Sequence, residues 1–286
     1  MLEDVKIGVN GPLFKDSVAQ AGIYETMRRL FLMGVHYIEL SQIDLYPDTV
    51  KELHRGMEDF GIEILAMTAG LLPNRFFPGR ILSLEEDFEE LMGYMKELHC
   101  EELRIVSAPP LDFSSREHVI SYAEACEAAA LRLLDRGVNF SYHSHCPEFC
   151  RFDGMLAIDL YLEQAPHMGM EICSYWMQAG GADTEELIRR YQGRGRLLHL
   201  KDYRIGKPKE RILLPEEKGA PPRFELCQTA EIGEGNLDMA GIIRAGALCG
   251  RPYMFIEQDQ HYGRTEFECI EKSYENLRRM GFGENL

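Results

Sequence analysis

The period of the hydrophobic pattern changes repeatedly along this chain, between two and about 3.6 residues, and this alternation constrains the fold more than any other feature. Short β-type runs recur: Lys6-Ile-Gly-Val9, Tyr37-Ile-Glu-Leu40, Glu63-Ile-Leu-Ala-Met67 and Leu103-Arg-Ile-Val106. Asn139-Phe-Ser-Tyr-His-Ser-His145 continues the series, followed by Gly169-Met-Glu-Ile-Cys173, Leu197-Leu-His-Leu-Lys201 and Tyr253-Met-Phe-Ile-Glu257. Helices are expected between them. The first runs from Ser17 to Met33, and the next from Asp48 to just before Gly61. Capping-box signatures at Ser83-x-x-Glu86 and Ser114-x-x-Glu117 open two more, ending near His99 and Gly137. Others are expected from Asp153 to Gln164, after Asp183-x-x-Glu186, after Asn236, and finally up to Met280. The long connections, Ala69 to Leu82 and Tyr203 to Asn236, follow the third and seventh strands. Loop length gathered behind strand C-termini is what a (β/α)8 barrel needs, because its active site is built there. The expectation is an α/β fold, one barrel domain over residues 1–286, without linker, low-complexity tract or internal repeat.

On that scaffold the strand ends carry the chemistry. Residues two apart in an extended segment share a face, so His143 and His145 point the same way, with Glu148 in the loop just beyond. Two imidazoles and a carboxylate there suit proton transfer or metal binding; a pair of satisfied core histidines is the plainer alternative. The seventh strand ends in His199-Leu-Lys-Asp202, with His199 and Lys201 on one face and Asp202, a structural partner, on the other. The eighth ends in Glu257-Gln-Asp259, and the sixth in Glu171-Ile-Cys-Ser-Tyr-Trp176. Histidine and carboxylates without a thiolate pair suit Mn²⁺, Mg²⁺ or Co²⁺. A barrel-mouth ion pair is the plainer alternative for Lys201, and Trp176 is a sugar-stacking wall or, on the plainer alternative, core. Glu39 on the second strand and Asp259 complete the candidate substrate contacts.

Composition narrows the partners. A formal charge of −16, from 31 basic and 47 acidic residues, repels phosphate backbones, so nucleic acid is not an expected partner. No apolar run is long enough to span a bilayer, and the acidic start, Met1-Leu-Glu-Asp4, is unlike a signal peptide. The eight cysteines lack the spacing of a disulfide framework and are expected to be reduced thiols of a cytoplasmic protein. Cys146-x-x-x-Cys150 has no second pair to complete a zinc site.

Five segments resemble the sugar phosphate isomerase/epimerase group of the xylose isomerase-like TIM barrels. Tyr142-His-Ser-His-Cys-Pro-Glu-Phe149 is similar to the group's Tyr-His-Asn-His-x-x-Glu-Phe, and Ser174-Tyr-Trp176 to the end of its Leu-Asp-Thr-Tyr-Trp. His199-Leu-Lys-Asp202, Gly233-Glu-Gly235 and Glu257-Gln-Asp259 match its later motifs in order, so the resemblance covers nearly the whole chain. It implies a divalent metal held by Glu148, a strand-six aspartate, His199 and Glu257. Here Cys173 stands where that aspartate would, and Ser144 stands for asparagine. Mn²⁺ remains the expected ion, with Co²⁺, Zn²⁺ or Mg²⁺ as alternatives; a thiolate at Cys173, softer than a carboxylate, would shift the preference towards Zn²⁺ or Co²⁺, weaken the site or leave it without an ion.

The combined reading is a metal-assisted enzyme that removes a proton α to the carbonyl of a keto-sugar, through an enediolate. His145 or Glu148 is the expected acid/base, His143 orients or shares that role, and Lys201 steadies the enediolate. Reprotonation gives an isomerase or epimerase; loss of a β-substituent gives a lyase or dehydratase acting on a keto-sugar or keto-glycoside, C-glycosides included. A non-catalytic sugar-binding barrel or partner subunit, motivated by Cys173, is the reading from another class. An endonuclease-like relative is disfavoured by the acidic surface. Self-association or a hetero-complex stays open.

Overall fold

The computed structural model describes residues 2–73, 79–106, 113–206, 212–213, 224–225 and 227–286. Eight parallel strands close into a barrel: β1 (Lys6–Asn10), β2 (Tyr37–Leu40), β3 (Glu63–Ala69), β4 (Glu102–Val106), β5 (Asn139–His143), β6 (Gly169–Cys173), β7 (Leu197–Leu200) and β8 (Tyr253–Ile256). Each strand pairs with its sequence neighbours among the eight, and β1 closes the ring on β8 with Gly8 opposite Phe255. Gly8 is required there: a Cβ would lie 2.3 Å from the carbonyl oxygen of Tyr37 on the adjoining strand. The outer layer comprises α1 (Lys15–Ala21), α2 (Ile23–Leu32), α3 (Pro47–Phe60), α4 (Phe88–Glu97) and α5 (Arg116–Leu134). It continues with α6 (Ala157–Gln164), α7 (Ser174–Ala179), α8 (Thr184–Arg190), α9 (Met239–Leu248) and α10 (Glu266–Arg279). Among the described residues no helix is long and apolar enough to cross a membrane.

The main apolar core lies between strands and helices; inside the barrel a small separate cluster, Leu65, Ala66, Leu197 and Phe255, plugs the lower part. Above that plug the interior turns ionic, with Glu39, Arg104, His143, Glu171 and His199 all buried.

Several boundaries differ from expectation. The first helix is broken in two by Gly22, whose φ of 82° and ψ of 162° leave the helical region. Ser83 Oγ does accept the Glu86 N–H (3.1 Å), but only a turn follows and α4 begins at Phe88. The cap of α5 is Ser115, accepting from the His118 N–H, one residue later than expected. Where a helix was expected from Asp153, a hairpin pairs Arg151–Phe152 with Met155–Leu156 around Asp153 (φ 51°) and Gly154 (φ 88°), a turn that suits Asp-Gly. α6 starts only after it. The presumed loop from Tyr203 is partly a ribbon, Asp202–Ile205 pairing antiparallel with Cys227–Ala230, and Ile212–Leu213 pairing with Phe224–Glu225. All eight cysteines are free thiols.

Asp202 anchors that ribbon to the barrel. Its buried carboxylate accepts N–H groups from Tyr203 (2.8 Å), Gly233 (3.0 Å), Gly235 (3.1 Å) and Leu237 (3.2 Å). Gly235 is glycine because a Cβ there would come within 2.1 Å of Asp202 Oδ1. Asp202→Ala would leave these donors without their acceptor, and the expected loss is about 2–4 kcal/mol of unfolding free energy in a denaturant titration. A loss below 0.5 kcal/mol would mean that water replaces the carboxylate.

At the opposite end of the barrel, Glu102 lines a cleft of about 530 Å³ together with Lys6, Arg196 and Tyr253. It is 2% exposed, accepts from Asn139 Nδ2 (2.9 Å) and pairs with Arg196 (2.8 Å). Burial outweighs Arg196 and pushes its carboxyl from an ordinary 4.5 up to about 7. A carboxyl raised in the folded state stabilises fully below the unfolded value, and that contribution is lost as pH rises through 7. Glu102→Gln is therefore expected to be neutral near pH 4.5 and to gain about 1–3 kcal/mol above pH 8, measured by thermal melts across pH. No gain above pH 8 would show that Arg196 keeps the carboxylate charged at no cost.

Candidate active site at the barrel mouth

His143 is the last residue of β5 and stands opposite Glu171 of β6, with Nδ1 2.9 Å from Glu171 Oε2. The chain then leaves the strand, yet His145 returns over the barrel, its ring centroid 4.9 Å from that of His143 and 4.8 Å from that of Trp176. Burial, with His143 beside it, pushes the His145 imidazole down to about 3, so it is neutral near pH 7. Glu148 goes elsewhere. It sits in the helical turn Pro147–Phe149, where one carboxylate oxygen accepts from Tyr142 Oη (2.6 Å) and the other from the His145 N–H (3.0 Å). Tyr142 alternates with His143 along β5 and packs against Tyr161 of α6 (ring centroids 5.1 Å).

At the centre of the barrel both ring nitrogens of His199 meet carboxylates. Nδ1 is 2.9 Å from Glu257 Oε2, and Nε2 is 2.7 Å from Glu39 and 3.1 Å from Glu171. Burial opposes charge on this ring, but Glu171, Glu39 and Glu257 raise it well above the ordinary histidine range. Arg104 lies under the same group, bonded to Glu39, 3.0 Å from Glu171 and 2.9 Å from Ser41 Oγ. Burial would push Glu171 up; His199 and Arg104 instead hold it far below the ordinary carboxylate range. The register of β2 on β3 shifts between Ile38 and Glu39, with Leu65 of β3 as the extra residue.

Lys201 follows β7 and is 2% exposed, 2.8 Å from Asp259 and 3.4 Å from Glu257. Burial works against its charge, yet Glu257, Cys173 and Asp259 raise it and keep it an ammonium ion. Its Nζ lies 5.1 Å from the ring centroid of Trp176 and 5.8 Å from that of Tyr175. The mouth thus has an imidazole, an ammonium group and an aromatic wall facing one another.

A divalent ion has a matching donor set. His143, Cys173, His199 and Glu257 are all buried and each offers an atom within 4.8 Å of the others; Glu39, Glu171 and His199 form a second such group. Cys173 Sγ is 3.9 Å from Glu257 Oε2, and burial raises its thiol. Two imidazoles, a sulfur and a carboxylate suit a four-coordinate borderline ion such as Zn²⁺.

Of the residues singled out in the sequence, His143, His145, Trp176, Lys201, Asp259, His199, Glu257, Cys173 and Glu39 gather at or just below the mouth. Glu148 does not join the donor set, because Tyr142 and the His145 N–H take up its oxygens. Sequence reasoning assigned no role to Arg104, whose inward parity on β4 was the available signal. It also missed Asn10, at the end of β1 in register with Glu39, whose buried amide nitrogen and oxygen have no hydrogen-bond partner among the described residues.

A closed parallel eight-stranded barrel with a polar, carboxylate- and histidine-rich mouth defines a TIM-barrel protein of the enzyme-like kind. The chain belongs to the xylose isomerase-like TIM barrel family, whose model matches residues 28–247. Similar solved structures include a sugar phosphate isomerase/epimerase from Parabacteroides distasonis, 20% identical over 98% of this chain and 95% of that one (TM-score 0.71). An L-ribulose 3-epimerase is 16% identical over 96% of this chain and 94% of that one (TM-score 0.66). The IOLI protein with a bound zinc atom is 15% identical over 98% of both chains (TM-score 0.67). At these identities the likeness is one of fold. No curated protein sequence matches the chain.

Proposed function

We propose that this protein, as one domain over residues 1–286, is a divalent-ion-assisted sugar isomerase or epimerase. Its substrate is a keto-sugar or sugar derivative from which it removes the proton α to the carbonyl. The observation that carries this reading is the convergence of His145, Lys201 and Trp176 above the donor set His143, Cys173, His199 and Glu257. The ion, when bound, supplies Lewis-acid polarisation of the carbonyl and neighbouring hydroxyl.

The chain's own residues do the rest. His145, neutral and held against Trp176, accepts the α-proton and returns it to the same or the adjoining carbon. Lys201, kept charged by Glu257 and Asp259, faces the negative charge that develops on the enediolate oxygen. Trp176 and Tyr175 offer apolar faces to the sugar ring, while the Asn10 amide and Trp176 Nε1, without a partner among the described residues, are suited to its hydroxyls. The same reading places the protein in the cytoplasm with reduced thiols, acting on a small carbohydrate rather than on nucleic acid or membrane.

The test is hydrogen exchange at carbon. The protein is incubated with keto-sugars and keto-glycosides in D₂O with Mn²⁺, Co²⁺ or Zn²⁺, and the product is followed by NMR. Deuterium at the α-carbon with retention of all substituents is the expected outcome. Release of a β-substituent would make the enzyme a lyase that shares the first step. Sugar binding without exchange would replace the proposal by a non-catalytic sugar-binding barrel.

A further inference from the structure

We propose that the ion is held by His143 Nε2, Cys173 Sγ, His199 Nδ1 and Glu257 Oε2, with His143 in the role that the family resemblance gives to Glu148, and that this set prefers Zn²⁺ or Co²⁺ to Mn²⁺ and Mg²⁺. This rests on the ion-assisted reading above and specifies how this chain departs from its family.

Four neighbouring strands supply the donors: His143 ends β5, Cys173 ends β6, His199 lies on β7 opposite Cys173, and Glu257 follows β8. Each of the four residues offers a ligand atom within 4.8 Å of the others. Ligands of a tetrahedral ion with bonds of 2.0–2.3 Å stand about 3.3–3.8 Å apart, so side-chain contraction of about 1 Å completes the site. Glu148 lacks this access. Its carboxylate is bonded to Tyr142 Oη, and Tyr142 extends from the face of β5 opposite His143 to pack on α6.

The surrounding carboxylates orient the ligands. Glu171 takes His143 Nδ1, which leaves Nε2 for the ion; Glu39 takes His199 Nε2, which leaves Nδ1 beside Glu257. A histidine that gives its second nitrogen to a carboxylate is a ligand with fixed orientation and raised basicity. Arg104, bonded to both Glu39 and Glu171, holds the two carboxylates in place. Ligation replaces the Cys173 S–H bond by a metal–sulfur bond, its proton leaving to solvent, and likewise displaces the proton between His199 Nδ1 and Glu257. Within the barrel the anions are then Glu39, Glu171, Glu257 and the Cys173 thiolate, facing Arg104, a doubly charged ion and Lys201, the last shared with the half-exposed Asp259. A thiolate with two imidazoles favours a borderline ion over a hard one.

The experiment strips the full-length protein with chelator and titrates it with Co²⁺, then Zn²⁺, Mn²⁺ and Mg²⁺, following absorption, calorimetry and metal content, with circular dichroism as the fold control. Wild type is expected to bind one Co²⁺ with intense tetrahedral d–d bands and a sulfur-to-cobalt charge-transfer band. Cys173→Ser should lose that band. His143→Gln should weaken Co²⁺ and Zn²⁺ at least 100-fold, and Glu171→Gln should weaken them 10–100-fold while keeping the band. Glu148→Gln should keep both stoichiometry and spectrum. Loss of binding in Glu148→Gln, with full binding in His143→Gln, would return the site to the family's ligands and overturn the assignment. A bound Co²⁺ without a charge-transfer band in wild type would remove Cys173 and overturn it independently, even if His143→Gln fails to fold. Failure of wild type to bind any of the four ions would instead defeat the ion-assisted reading itself.

Discussion

His145→Ala is expected to lower α-proton exchange by 10²–10⁴-fold, the usual contribution of a positioned general base. His145 lies beyond the end of β5, its ring against Trp176 and His143, so the variant removes a group above the donor set without touching the barrel's paired strands. Metal content and thermal midpoint should stay near wild type, because the expected ligands and the Arg104 network are intact. Exchange is measured in D₂O at saturating substrate, together with the apparent affinity. A fall confined to kcat identifies a group that acts in the transition state, whereas a rise in KM alone would mean that His145 only shapes the sugar pocket. Full exchange in His145→Ala would move the base elsewhere, and Lys201→Met would be the next variant to measure.

Arg104→Met is expected to cost about 3–5 kcal/mol of stability at pH 7, the range for breaking a buried ion pair from one side. Arg104 is 3% exposed and bonds to Glu39 and Glu171, each fully buried, so methionine fills the volume but leaves the two carboxylates with only the His199 and His143 imidazoles between them. The pH dependence fixes the cause. In wild type, Glu171 and Glu257 are held below the ordinary value, so their stabilisation is present above about pH 4.5 and is lost as pH falls through the folded values. In Arg104→Met, Glu171 keeps His199 but loses the guanidinium that also lowers it, so its carboxyl moves up towards its unfolded value and part of that stabilisation is missing. The deficit relative to wild type should therefore be present in full above about pH 4.5 and shrink as pH falls below it. Denaturant titrations at several pH values measure it. A deficit independent of pH would indicate lost packing rather than uncompensated charge.

Much of the barrel is legible in the sequence because strand and helix periodicity are local properties. The eight strands appear where alternation or a short apolar run predicts them, and Asp183 caps its helix as its spacing implies, with Oδ1 2.8 Å from the Glu186 nitrogen. Side-chain parity is equally local, so it correctly sends His143, Glu171, Cys173, His199 and Lys201 to the barrel's inside. Asp202, of opposite parity to Lys201, turns out to hold the backbone of the Gly233-Glu-Gly235 turn, which links two motifs 31 residues apart in sequence only through folding.

What the sequence leaves open is decided by partners that closure brings together. Parity says that Arg104 points inward, but only the ring of strands puts it beneath Glu39 and Glu171, 65 and 67 residues away in the chain. The hairpin Arg151–Leu156 was hidden because its strands are two residues each, too short to express a period. Glu148 is the sharpest case. Three residues after His145 it could turn either way, and Tyr142 Oη together with the His145 N–H draws its carboxylate out of the donor set. The chain by itself fixed the strands, their faces and the kinds of chemical groups at the mouth. Tertiary structure decided which of those groups meet, because a buried carboxylate must find its donors wherever the fold places them, and a local pattern carries no record of that choice.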